Sequence, residues 1–277
     1  MVTIRKDHAS PPAPVAESWR RIEAWLGDHL PILRLSLRPG ISGTDLDRFE
    51  KSVGRPLPAD VRESWMIHDG QRPIPYLPDA VEYSVEDDDA LLGKGVVFGS
   101  EVLPLLDEKD CLASSPSLGH WKFWSEMVGA SERGEDDGML DEFSQECTSS
   151  PEGAIRRLHA CRAWIPLVEM NDSNHIGIDL DPGPSGGVGQ VINFGRDQEQ
   201  KFVLARSWAH FLEDVADELE RGNFVITGDE GYKSFGMKEP HRGELWLNLK
   251  EWSEAKLDTR TWSETKTGTV RKPGSAP

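Results

Sequence analysis

Asp179 and Asp181 stand two residues apart near the end of the string His175–Asp181. On an extended strand that spacing puts both carboxylates on one face. Such a pair could share a Ca²⁺ ion or divide acid and base roles. A calcium site wants about six or more oxygens, and the spacing of an EF-hand loop is absent. Asp181 before Pro182 is also ordinary turn chemistry, so the pair reads as a turn and a polar recognition face. Gly183, Gly186, Gly187 and Gly189 follow directly. A phosphate-cradling loop needs a helix N-terminus behind it, because the free N–H groups there supply the affinity. Here a strand pattern, Gln190–Phe194, follows instead, so the glycines read as a connection that needs positive φ. Ile67-His68-Asp69-Gly70 could set an imidazole beside a carboxylate, as a hydrolase cleft would require. A helix that ends in glycine, with histidine near the negative end of its dipole, explains the same four residues.

The remaining reactive types do not assemble into a pattern. Cys111, Cys147 and Cys161 lack CxxC spacing, the eight histidines form no HExxH, and no serine sits in a G-x-S-x-G elbow: Ser185, in Gly183-Pro184-Ser185-Gly186-Gly187, has the spacing, but a strand pattern and not a helix follows it. Neither a metal nor a cofactor is expected. The acidic runs Glu86–Asp89 and Glu132–Glu146 read as solvated segments, and a Ca²⁺-responsive protein would have to use them. Among the ten tryptophans, Trp19, Trp25, Trp65 and Trp208 fall on helical stripes and belong to the core. Trp121, Trp124 and Trp246 lie off such stripes; packing explains each, and each could also anchor a partner.

Composition limits the classes of partner. The chain has 277 residues with Lys+Arg 31 against Asp+Glu 48, a net charge of −17. A field of that sign repels phosphate backbones and anionic lipid, which disfavours nucleic acid and membrane surfaces and favours basic or mixed-charge proteins. No run of about 18 apolar residues occurs, and the first residues lack the apolar stretch of a secretory signal. Three cysteines cannot build a disulfide framework, so a reducing, cytoplasmic setting is expected.

The elements that must position these residues are legible in patches. Residues 1–16, with Pro11, Pro12 and Pro14, read as a disordered lead-in. A helix should begin at Glu17, carry Trp19, Ile22, Trp25 and Leu26 inward, and stop at Gly27. A second follows a cap at Ser42 or Thr44, with Leu46, Phe49 and Val53 on one face and Gly54 closing it. A third starts after Pro58, buries Val61, Trp65 and Met66, and ends at Asp69-Gly70. Val96–Phe98 reads as a short strand. Trp121, Phe123 and Trp124 suggest a docked helix within an otherwise obscure stretch, residues 110–160, whose acidic part reads as loop. Ala163–Met170, His175–Asp181, Gln190–Phe194 and Lys201–Ala205 read as four strands joined by short connections, hence an antiparallel meander. Ser207 should cap the strongest helix, with Trp208, Phe211, Leu212, Val215 and Leu219 on one face. Glu213, Asp214, Asp217, Glu218 and Glu220 fall on its opposite, solvated face. A further short element is expected within 243–256, and Thr259–Pro277 reads as a mobile tail. The fold class is α+β: an antiparallel meander of about four to six strands with amphipathic helices packed on it.

Several strings occur in order: Leu57-Pro58-Ala59-Asp60-Val61, Ile67-His68-Asp69-Gly70-Gln71, Trp164-Ile165-Pro166-Leu167, Ile176-Gly177-Ile178-Asp179-Leu180, Pro182-Gly183-Pro184, Gly189-Gln190-Val191-Ile192, Phe194-Gly195-Arg196-Asp197 and Ala205-Arg206-Ser207-Trp208. As a set they resemble the SUKH superfamily, in particular its fungal cell-wall assembly (β-glucan synthesis) regulators and the bacterial proteins similar to them. The resemblance covers residues 17–226 as one domain, with an acidic insertion around 110–160 and a C-terminal extension and tail at 227–277. It implies a non-catalytic module that binds another protein: a regulatory partner in the fungal branch, a toxin in the bacterial immunity proteins. A hydrolase using His68 or Asp179 in a cleft is the alternative of another class. The expected contact or loop-shaping residues are His68, Asp69, Gly70, Asp179, Asp181, Gly183, Gly186, Gly189, Arg196 and Asp197. Oligomeric state is not legible.

Overall fold

Trp19, Ile22, Trp25 and Leu26 recur at helical spacing, and a computed structural model of the chain places them on the buried face of α1, Val15–His29. The structure describes residues 10–72, 95–106, 115–171, 173–227 and 234–257. Gly27 does not stop α1: the helix runs on to His29, whose ring stacks on Trp25 at 4.3 Å. Pro31 then opens a short helix that the sequence reading lacks, α2, Pro31–Ser36. Helix α3, Gly43–Val53, is capped by Ser42 and closed by Gly54 at φ 71°. Helix α4, Ala59–Ile67, buries Val61 and Trp65, but Met66 is 49% exposed because it faces away from that stripe. Val96–Phe98 is a buried turn, and the strand lies just beyond it as β1, Glu101–Val102.

The obscure middle of the chain is mostly helical. Helix α5, Pro116–Glu132, opens at Ser115, whose hydroxyl accepts from the Leu118 N–H. The acidic stretch is not all loop: Met139–Glu146 is a helix, α6, because the Asp136 carboxylate accepts from the Gly138 and Leu140 N–H groups and Leu140 is buried. A short strand, β2, Thr148–Ser150, follows.

Strands β3 (Trp164–Asn171), β4 (Asn174–Asp179), β5 (Gln190–Gly195) and β6 (Gln200–Ala205) form the antiparallel meander. Two short strands extend it to six, in the order β1-β3-β4-β5-β6-β2, with β2 parallel to β6. Helix α7, Trp208–Glu220, is capped by the Ser207 hydroxyl, which accepts from the His210 N–H. A two-stranded ribbon, β7 (Val225–Thr227) with β8 (Ser234–Gly236), leads to a 3₁₀ turn, Leu245–Asn248, and helix α8, Leu249–Lys256.

Both faces of the sheet are covered. On one, Ile165, Ile176, Ile178, Val191 and Leu204 meet the tryptophan stripes of α1 and α7. On the other, Trp164, Ile192, Phe194 and Val203 meet Trp124 of α5, Leu140 of α6 and Ile155. The expected polar outer face of β4 is therefore buried, and His175 and Asp179 are fully enclosed. Gly177 is required there: a Cβ would lie 2.1 Å from the Ile165 carbonyl oxygen and 2.9 Å from the Phe194 ring.

The acidic face of α7 is likewise not all solvated. Asp214 and Glu218 are buried because α8 packs over them and brings Lys256, itself buried, to 3.6 and 2.7 Å. The Lys256 ammonium also lies 5.2 Å from the Trp252 ring centroid. Ser253 of the same helix donates to the Val203 carbonyl on β6. Among the described residues no helix is long and apolar enough to cross a membrane.

Candidate functional site

The residues singled out in the sequence fall at three separate places. Strand β4 spans six residues, so its ends lie on the order of 17 Å apart. Its register pairs Asn174 with Gly195 at one end and Asp179 with Gln190 at the other. Arg196 and Asp197 therefore sit at the opposite end of the sheet from Asp181.

The first place is the end of α4. His68 directs Nδ1 to the Arg38 carbonyl oxygen at 2.9 Å and Nε2 to the Glu23 carboxylate at 3.0 Å, with its ring edge-on to Trp19. Both ring nitrogens thus already face acceptors inside the protein. The ring lines a shallow groove of about 590 Å³ with Pro31, Leu35 and Pro39. Asp69 points the other way and is buried. Its carboxylate accepts from the Leu105 N–H at 2.6 Å and the Leu106 N–H at 3.2 Å, and Arg38 lies 3.3 Å away. Gly70 has φ 65°, and a Cβ there would lie 2.4 Å from the Pro104 nitrogen. His68 thus ties the end of α4 to α1 and to the Arg38 carbonyl, Asp69 ties it to the residues after β1 and to the Arg38 guanidinium, and the two side chains do not face one cleft.

The second place is the connection after β4. Asp179 and Asp181 do not share a face, because the strand ends at Asp179. Asp179 is enclosed and accepts from the Asp181 N–H at 3.0 Å and the Gln190 amide at 3.1 Å. Burial pushes its carboxyl up to about 6. Asp181 is half exposed and pairs with Arg156. The glycines fit the loop to the segment at 153–154: a Cβ on Gly183 would lie 2.3 Å from the Gly153 oxygen, and one on Gly186 2.0 Å from the Ala154 oxygen. Gly189, at φ 85°, sits beside Pro58. A groove of about 440 Å³ opens next to Asp181, with Arg55, Arg156 and Arg162 balanced by Glu132, Asp141 and Asp181.

The third place is the turn between β5 and β6. Asn174 joins the two turns at this end: its side-chain amide donates to Asp197 at 3.0 Å, and its oxygen accepts from the Asp197 N–H at 2.9 Å. Together with the neighbouring Arg196, that amide holds the Asp197 carboxyl below the usual carboxylate range. Asp197 lines a groove of about 480 Å³ between the two turns and the 3₁₀–α8 segment. Trp246 lines the same groove. The sequence offered Asp197 and Trp246 separately, and the tertiary structure makes them neighbours across one cleft. Glu199, Leu247 and Glu251 also line it and are not singled out by the sequence. The signal for the 3₁₀–α8 wall is Leu245-Trp246-Leu247, three apolar residues in a polar stretch. The other two off-stripe tryptophans are in the packing: Trp124 is buried, and the Trp121 indole donates to the Arg162 carbonyl.

Beneath α5 lies a buried polar set that the sequence reading did not single out. His175 is edge-on to His120 at 4.7 Å and close to Phe194 at 5.6 Å, and burial pushes its imidazole down to about 3. Lys201, also lowered by burial, donates to the Gln198 carbonyl and lies 5.4 Å from the Trp164 ring. Among the described residues no group of His, Cys, Asp or Glu is placed to hold a metal ion. The run Glu86–Asp89 and the tail Thr259–Pro277 lie outside the described residues.

Residues 40–214 match the model of the SMI1 / KNR4 family (SUKH-1). The chain is 34% identical over 257 residues to the cell wall biosynthesis/cell cycle regulator smi1 of Schizosaccharomyces pombe, covering 92% of this chain and 46% of that protein. It is 33% identical over 235 residues to a glucan synthesis regulatory protein of Neurospora crassa, covering 78% and 40%. It is 29% identical over 232 residues to the cell wall assembly regulator SMI1 of Saccharomyces cerevisiae, covering 76% and 42%. The chain thus spans less than half the length of each of these relatives.

Proposed function

The chain belongs to the SMI1/KNR4 family (SUKH-1), and from that premise we propose that it is a non-catalytic module that regulates cell-wall assembly or glucan synthesis by binding another protein in the cytoplasm. The observation that carries the reading is the match to relatives named as regulators over 92% of this chain in one case. Those names favour a regulatory partner over a toxin. The site geometry is in keeping with a binding role. A hydrolase would need His68 or Asp179 to present a free lone pair to a substrate, and each is already engaged inside the protein. The net charge of −17 favours a basic partner, whose association would be steered at a rate that falls with salt.

The test is replacement. The chain is expressed in Schizosaccharomyces pombe lacking its smi1 relative, and resistance to a wall-digesting glucanase is measured. The expected result is partial restoration, retained by His68→Gln and Asp179→Asn where those variants fold. A folded, expressed chain that restores nothing would count against the reading. So would a hydrolytic activity of the purified chain that Asp179→Asn abolishes.

A further inference from the structure

The cleft at the β5–β6 turn has two unlike walls. One consists of the turns of the meander, with Asn171, Asn174, Asp197 and Glu199. The other is the 3₁₀–α8 segment, with Trp246, Leu247, Lys250 and Glu251, which lies beyond the matched residues 40–214. Trp246 is 40% exposed and Leu247 43%, so two adjacent large apolar side chains stand in water. The Trp246 indole donates to the Glu244 carboxylate at 3.1 Å, which orients the ring before anything binds. Phe202 and Leu249 line the same cleft. Three carboxylates (Asp197, Glu199 and Glu251) and the ammonium of Lys250 are the charged groups among the described lining residues, and His241 flanks the cleft, 3.2 Å from the Glu251 carboxylate. The Arg196–Asp197 pair is exposed on the turn, so exchanging Arg196 for an incoming cation costs little.

A pre-oriented tryptophan beside a leucine makes an anchor point of the kind that dominates interfaces. Carboxylates around it select positive charge and repel a second copy of this acidic chain. We propose that this cleft holds an extended basic segment of a partner protein, with an aliphatic side chain on Trp246 and Leu247 and Lys or Arg heads against Asp197, Glu199 and Glu251. The proposal deepens the protein-binding reading and rests on it.

The probe is a fluorescein-labelled peptide, Lys-Leu-Arg-Lys-Leu-Arg, titrated with the full purified chain and followed by anisotropy. Two control peptides carry Gly for Leu, or Glu for Lys and Arg. Trp246→Ala and Glu199→Lys should each weaken binding at least tenfold, and both control peptides should bind at least tenfold more weakly. Phe123→Ala, which removes an exposed aromatic of α5 elsewhere on the surface, and Asp137→Lys should change binding less than twofold. The proposal is overturned by a dissociation constant weaker than about 1 mM, by unchanged binding in Trp246→Ala, or by equal losses from Asp137→Lys and Glu199→Lys, which would mean that the overall field alone holds the peptide. A dimer in sedimentation that Trp246→Ala dissolves would also overturn it, since the cleft would then hold a second copy. Binding through Trp246 without restoration of wall resistance would uphold the cleft and sink the regulatory reading. Restoration that Trp246→Ala leaves intact would do the reverse.

Discussion

Replacing His175 by phenylalanine separates two buried titrations of opposite sign on one strand, β4. The imidazole sits at about 3 against an ordinary 6.5, because burial disfavours its charged form. Below pH 6.5 the unfolded chain takes up a proton that the folded protein refuses, so stability is lost as pH falls from 6.5 towards 3. The full shift corresponds to about 5 kcal/mol, of which about 3 kcal/mol is spent by pH 4.5. Asp179 runs the other way. Its carboxyl sits at about 6 against 3.8, so between those values the folded protein holds a proton that the unfolded chain has released. Stability is therefore regained as pH falls from 6 towards 4, by about 2 kcal/mol at pH 4.5. The two slopes largely cancel in the native protein. His175→Phe, which keeps a ring beside Phe194 and Trp124, removes one of them. Urea unfolding followed by tryptophan fluorescence at pH 7 and pH 4.5 measures the difference from the native chain. The variant should gain about 3 kcal/mol relative to the native protein on going to pH 4.5. Asp179→Asn should lose about 2 kcal/mol by the same comparison. His159, also lowered by burial, contributes equally to every chain and drops out of these differences. Parallel profiles for native protein and His175→Phe would refute the reasoning, because they would mean that the imidazole is protonated in the folded state.

Lys256→Met removes the cation between the buried Asp214 and Glu218 and should cost about 3–5 kcal/mol in denaturant unfolding, with the lower end expected because Arg221 still serves Glu218. Replacing Lys256, Asp214 and Glu218 together by apolar residues should recover most of that loss. Gly70→Ala should lower the melting temperature more than Gly54→Ala: both glycines have positive φ, but only at Gly70 does a Cβ collide with backbone. Asp181→Ala should change stability by no more than about 1 kcal/mol, since its pair with Arg156 is half exposed. Asp69→Ala should cost about 3 kcal/mol or more, leaving two buried N–H groups unserved and taking a buried carboxylate from beside Arg38, and thermal unfolding of the two variants side by side decides it.

Local pattern carried much of the fold. The stripe Trp208, Phe211, Leu212, Val215, Leu219 behind Ser207 is the helix it spelled, and the short connections of 164–205 gave the meander in the right order. Where the reading failed, a second layer of structure was the cause. His175–Asp181 alternates as if one face met water, yet α5 and the segment at 154–160 cover that face. Asp214 and Glu218 looked solvated because the residue that neutralises them, Lys256, is 38 positions beyond Glu218. The helix Met139–Glu146 hid behind its charge, since its amphipathic face buries little more than Leu140. Asp179 and Asp181 share a face only if the strand runs through both, and it ends at Asp179.

Sequence alone determined the acidic character of this protein, its class of fold, and the strings that place it with the SUKH proteins, because each depends on composition or on spacing within a few residues. The tertiary structure alone decided which charged groups are enclosed and which face water. It also decided that Asp197 and Trp246, 49 positions apart, share one cleft while Asp179 and Asp181 are sent in different directions. Burial and convergence are properties of segments distant along the chain that come together in space, and no local periodicity records what will pack on the far side of a strand.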